Sequence, residues 1–128
     1  MAKDHRFYIC MHCKNIIGMI KSSGVPIYCC GEPMAELIAN TSDGAVEKHL
    51  SVGSVSGNTV KVTIGSVAHP MVEEHFIEWV YLQTGCGGQR KCLSPGDKPE
   101  VSFALVEGEK PVAVFEYCNL HGLWKTEL

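Results

Sequence analysis

"PVAVFEYCNLHGLW", residues 111–124, is β-branched and aromatic as far as Cys118, then breaks at Asn119 and Gly122. That texture suits a strand running into a turn. Cys118 and His121 sit at the break, a thiol and an imidazole with a glycine directly behind them. A disulfide would need a second cysteine, and a nucleophilic pair would need only one histidine. The rest of the chain decides whether this is a metal site.

The same texture recurs upstream. "TVKVTIG" (59–65) alternates Val60, Val62 and Ile64 with Lys61 and Thr63. "HFIEWVYLQ" (75–83) is aromatic and β-branched, and "VSFALVE" (101–107) places Val101, Phe103 and Leu105 on one face. "SGNT", "TGCGGQ", "SPGDKP" and "EGEKP" supply turn signals between them. No full-length helix and no internal repeat is visible. Many short strands separated by Gly/Pro turns predict an antiparallel sandwich or barrel over residues 38–128.

Residues 1–37 have a different character. Gly18, Gly24, Pro26, Gly31 and Pro33 interrupt short apolar pieces, so the segment cannot bury enough surface to fold without a staple. Cys10 and Cys13 form a C-x-x-C pair, and Cys29 and Cys30 are adjacent. A C-x-x-C turn aims two sulfurs at one spot, and a second pair completes an S4 site for zinc or iron. Neighbouring strand residues point to opposite faces, so Cys29 and Cys30 share a metal only across a turn, which "CCGEP" offers. Zinc ribbons normally use two spaced pairs, so the vicinal pair leans toward iron. The competing reading is a redox disulfide between Cys10 and Cys13.

The 128 residues include 11 basic and 14 acidic side chains, a formal net charge of −3. That balance argues against nucleic acid as a partner, which wants a basic stripe. The opening "MAKDHRFYIC" lacks the apolar core of a signal peptide, and no apolar run approaches a membrane span. A cytoplasmic, reducing location is the expectation, with no membrane partner. Seven cysteines in such a compartment are better read as metal ligands than as disulfides, and the odd count agrees.

Four of the six histidines, His49, His69, His75 and His121, fall near inferred strand ends in the second region. Each alone reads as a surface or packed side chain. Together with Cys118 they would make a site of four imidazoles and one thiolate with one open position. His5 and His12 are expected to be solvated. Cys86 and Cys92 are read as free thiols, or as a pair across a hairpin under oxidation.

The motifs in order are C-x-x-C with a later C-C, E-K-H (47–49), A-H-P-M-x-x-x-H-x-I-E-W (68–79) and E-Y-C-N-L-H-G-L-W (116–124). In this order and spacing the chain resembles desulfoferrodoxin, the two-iron form of superoxide reductase. The resemblance implies a desulforedoxin-like module over residues 1–37, with one iron on Cys10, Cys13, Cys29 and Cys30. It implies an immunoglobulin-like β-sandwich over 38–128, with a second iron on His49, His69, His75 and His121 in the plane and Cys118 axial. The activity implied is one-electron reduction of superoxide to hydrogen peroxide without release of dioxygen. By the same resemblance Lys48 attracts superoxide and helps deliver protons, and Glu47 closes the sixth position of the oxidised iron. Rubredoxin or a similar small donor restores the electron, and the protein is a homodimer.

Two positions depart from the family pattern. Lys14 stands where a glycine is usual, and Ser51 where a proline is usual. Lys14 is expected to strain the S4 knuckle or alter its hydrogen bonds, and Ser51 to loosen the Glu47–Lys48 loop. Three other classes compete. A cupredoxin-like carrier would want a methionine soon after His121. A zinc-stabilised interaction module would leave the histidines idle, and a cupin-like oxygenase would need no axial cysteine.

Overall fold

The computed structural model describes residues 5–41, 51–65 and 69–128. Two compact units form, Lys3–Ile38 and Ala39–Leu128. No helix forms among the described residues, so none is long and apolar enough to cross a membrane.

In the first unit β1 (Arg6–Ile9) lies between β2 (Ile16–Met19) and the short β5 (Ala35–Glu36), both antiparallel to it. A second small ladder joins β3 (Tyr28–Cys29) to β4 (Glu32–Pro33). Phe7, Ile9 and Cys10 are its buried hydrophobic residues, while Ile20, Val25, Tyr28 and Ile38 are exposed. So little buried surface cannot offset the entropy of ordering more than thirty residues.

The second unit is an immunoglobulin-like antiparallel β-sandwich. One sheet has the order β10 (Glu100–Ala104), β7 (Thr59–Ile64), β6 (Ser51–Ser56). The other runs β12 (Gly122–Glu127), β11 (Pro111–Cys118), β8 (Ile77–Thr84), β9 (Gly88–Cys92). Val60, Val62 and Ile64 on β7 and Phe103 on β10 pack with Val80 and Leu82 on β8 and Val114 on β11. The period-two alternation thus builds this core directly.

Strands β6, β9 and β12 carry no comparable signal. "SVGSVS", "GQRKC" and "GLWKTE" are too polar or too glycine-rich to show period-two burial, and neighbouring strands recruit them. Cys86 and Cys92 do not face each other. Cys86 lies in the turn after β8, whereas Cys92 ends β9 opposite Trp79. At about 3.3 Å per residue that separation exceeds any disulfide reach. The hairpin-disulfide reading is therefore corrected.

Candidate metal centres

The ligand atoms of Cys10, Cys13, Cys29 and Cys30 all lie within 4.8 Å of one another. The turn after β1 presents Cys10 and Cys13, closed by hydrogen bonds from Lys14 N to Cys10 O at 2.9 Å and from Cys13 N to Cys10 Sγ at 3.5 Å. The facing pair solves the vicinal problem through the backbone. Cys30 has φ +54° and Gly31 φ +77°, so the chain reverses and both sulfurs stay on one side, 4.0 Å apart. Cys13 and Cys29 sulfurs are 3.7 Å apart. A tetrahedron with metal–sulfur bonds of about 2.3 Å has edges of about 3.8 Å, so the set fits an S4 metal. The N–H of Cys13 pulls the Cys10 thiol down to about 6. Cys30, hydrogen-bonded to Cys10 and then Cys13, is pushed up to about 12. Four crowded sulfurs that give up protons so unequally need a cation before all are thiolates.

Lys14 has φ +67°, the left-handed conformation expected to favour glycine there. A side chain in that region costs about 1–2 kcal/mol. His12, within the C-x-x-C turn, is exposed as expected and meets Glu32 of the opposite hairpin at 3.0 Å.

The second cluster lies in the sandwich unit. Ligand atoms of His69, His75 and Cys118 are within 4.8 Å of one another. His121 Nδ1 is 3.8 Å from Cys118 Sγ, and its ring centroid is 5.0 Å from that of His75. The rings of His69 and His75 meet edge-on at 4.7 Å. His69 and His75 come from the segment leading into β8, Cys118 from the end of β11 and His121 from the turn before β12. Gly122, φ +77°, lets that turn close, and Trp124 Nε1 holds it by donating to His121 O at 3.1 Å. Glu47, Lys48 and His49 lie outside the described residues.

A β-bulge aims the thiol. Tyr117 pairs with Trp79 but Cys118 pairs with Ile77, so Glu78 is an extra residue beside the site. Cys118 is fully buried. Burial pushes its thiol up, offset in part by the N–H groups of Leu120 and His121 and reinforced by Glu78 and Glu116. It stays protonated until a cation sits beside it. His69 Nδ1 is 2.7 Å from the Pro70 carbonyl, which fixes Nδ1 as donor and leaves the Nε2 lone pair for a metal. Soft thiolate beside neutral imidazoles is a donor set that suits iron.

Sequence reasoning passed over one buried acid. Glu116 shares the inward face of β11 with Val114 and Cys118 and is fully buried. Ser51 Oγ donates to its Oε2, while Oε1 has no partner among the described residues. The Ser51 hydroxyl that replaces the usual proline is thus committed to a carboxyl two residues from Cys118. Burial, only partly opposed by Ser51, pushes the Glu116 carboxyl up to about 8 from 4.5. The folded chain therefore binds this proton more tightly than the unfolded chain. Its contribution to stability is complete below the unfolded value and is lost as pH rises through about 8. Each pH unit in that window is worth at most about 1.4 kcal/mol. Glu116→Gln should flatten the decline in melting temperature between pH 5 and 8.5 by several degrees. A profile parallel to wild type would show the carboxyl already ionised.

Comparison with known proteins adds independent findings. The family model described as desulfoferrodoxin matches residues 41–127. The desulfoferrodoxin of Nitratidesulfovibrio vulgaris is 48% identical over 127 residues, 99% of each chain. The crystal structure of a superoxide reductase from Treponema pallidum superposes with a TM-score of 0.83 at 39% identity, covering 98% of this chain and 100% of that one. A one-iron superoxide reductase from Giardia intestinalis covers 64% of this chain and 99% of its own, with TM-score 0.55 and 34% identity.

Proposed function

The chain belongs to the desulfoferrodoxin family, and from that membership we propose that it is a superoxide reductase with two iron sites. The reaction consumes superoxide, one electron and two protons and yields hydrogen peroxide, with no dioxygen formed. Iron supplies the electron when bound. The observation that carries this reading is the meeting of His69, His75 and the buried Cys118, with His121 Nδ1 3.8 Å from the same sulfur. His49 is assigned as the fourth imidazole, and Cys10, Cys13, Cys29 and Cys30 as holders of the second iron.

Each residue has a physical task. Neutral imidazoles leave the metal's positive charge largely intact, which favours an anionic substrate. Cys118 contributes one negative charge from the core side, held by the N–H groups of Leu120 and His121. The Pro70 carbonyl keeps His69 in the tautomer that can ligate. Lys48 is assigned to draw superoxide in and help pass protons to it, and Glu47 would offer its carboxylate to the oxidised iron.

The Giardia protein, named as a one-iron enzyme, matches only about two-thirds of this chain. That supports placing the reductase step in the sandwich unit and leaves the S4 iron outside it. Rubredoxin or a similar small carrier is assigned as donor, the compartment as cytoplasmic and the assembly as a homodimer. Open-edged β2 and the exposed Ile20, Val25 and Tyr28 of the small unit support the dimer.

The test is a visible spectrum of the purified protein before and after a mild oxidant, with iron counted, followed by superoxide kinetics. Two irons per chain and a second thiolate-to-iron band on oxidation are expected. A protein that stays colourless would overturn the iron assignment. Lys48→Ile should slow superoxide capture about tenfold or more at low salt and flatten its ionic-strength dependence. An unchanged rate removes Lys48 from the mechanism.

A further inference from the structure

Cys118 ends β11 opposite Ile77, the first residue of β8. Beyond that pair both chains leave the sheet, yet three more hydrogen bonds join them, all made by Asn119. Its backbone N–H donates to Phe76 O at 3.3 Å. Its side-chain Oδ1 accepts from Phe76 N at 2.9 Å, and its Nδ2 donates to Glu74 O at 3.0 Å. Glu74 and Phe76 are the two neighbours of His75. One amide, covalently next to Cys118, therefore grips the backbone on both sides of the residue that carries an imidazole.

A tight bridge to Val72, with paired bonds of 3.1 and 3.0 Å, also supports the His75 backbone. That bridge closes the 72–75 turn on itself and leaves its position relative to Cys118 to other contacts. The Asn119 side chain extends the β8–β11 ladder beyond the backbone bond from Asn119 N–H to Phe76 O. Aspartate keeps an acceptor for Phe76 N–H but cannot donate to Glu74 O, and alanine does neither.

We propose that Asn119 is a positioning residue that fixes the His75 imidazole against Cys118 Sγ and so sets how tightly the His/Cys centre retains its metal. The inference rests on the iron assignment above. A ligand held before binding loses little freedom on coordination, whereas a loosened one must be ordered each time the metal binds. Partners of ligating residues are worth about 10–100-fold in metal affinity.

Asn40 provides a matched control within the same unit. Its N–H donates to Leu123 O, its Nδ2 to Lys125 O, and its Oδ1 accepts from Lys125 N, at 3.0, 3.1 and 2.9 Å. The bond count and chemistry equal those of Asn119, but the bracketed residue is Trp124, which is not a ligand, rather than His75.

The experiment follows iron loss from the full-length, two-iron protein to a chelator, reading the two iron absorptions separately. Asn119→Ala should release the His/Cys iron about 10–100-fold faster than wild type and shift its thiolate-to-iron band. Asn119→Asp should fall between them and keeps the test open if the alanine variant folds poorly. Loss of the S4 iron should be unchanged in both, and Asn40→Ala should behave as wild type. Wild-type iron retention and band position in both Asn119 variants would overturn the proposal, as would equal acceleration by Asn40→Ala. A wild-type chain that takes up only the S4 iron overturns the iron assignment and this inference together, and shows it before any variant is made.

Discussion

Cys118→Ser should abolish the thiolate-to-iron band of the sandwich unit and cut superoxide reduction by at least about 100-fold. The estimate takes the upper end of what is lost when merely a partner of a ligand is removed, because here the ligand itself goes. Cys118 is fully buried and is the one thiol that meets His69 and His75. A serine hydroxyl in the same place is far harder to ionise, so the buried negative charge disappears. The sandwich itself should survive, since the substitution is nearly isosteric and the surrounding apolar cluster is intact. Circular dichroism at wild-type amplitude, the S4 absorption retained and the second band absent would be the full signature. Retention of that band would reassign the thiolate.

Stripping the metal from the small unit should unfold it while the sandwich persists. Structural zinc contributes about 10–16 kcal/mol to comparable small modules, far more than Phe7, Ile9 and Cys10 gain from burial. Without a cation the sulfurs of Cys29 and Cys30, both pushed up in pKa by their neighbours, revert to thiols. The β3–β4 hairpin is then tied to the turn after β1 by weak contacts such as the exposed His12–Glu32 pair. Cys30→Ser, or chelation at mild pH, should make residues 5–38 sensitive to protease and collapse the amide dispersion of β1 and β2. Resonances of β7, β8 and β11 should stay in place. A metal-free chain whose small unit kept its dispersion would mean that the strands, not the metal, carry that fold.

Legibility of the fold followed burial. Strands β7 and β10 could be read because one face of each enters the core and burial imposes a period of two, and β11, buried on both faces, because its run is β-branched and aromatic. Edge strands β6 and β9 are solvated over most of their length, so their sequences answer to no such constraint. The cysteine spacing was legible for another reason. A C-x-x-C turn brings its two sulfurs together through local geometry, with no need of distant chain.

The second centre shows where that legibility stops. Sequence named His69, His75, Cys118 and His121 through motifs, but their meeting depends on pairing β8 with β11 across more than thirty residues. It also depends on the bulge at Glu78, on the left-handed Gly122 and on the Asn119 amide, none of which has a periodic signature. The expected loosening of the Glu47–Lys48 loop by Ser51 lies outside the described residues, but Ser51 is the hydrogen-bond donor of a buried acid, because only the packed sandwich brings β6 over β11.

Family resemblance named the imidazole donors; by itself, the sequence determined the strand-rich core and the small unit stapled by its cysteines. These follow from local spacing and from the partition of apolar side chains out of water. Tertiary structure alone decided how those donors are aimed, which acid is buried beside the thiol and which amide holds the imidazole. Those are contacts between residues far apart in the chain, and their energies exist only once the two sheets have closed.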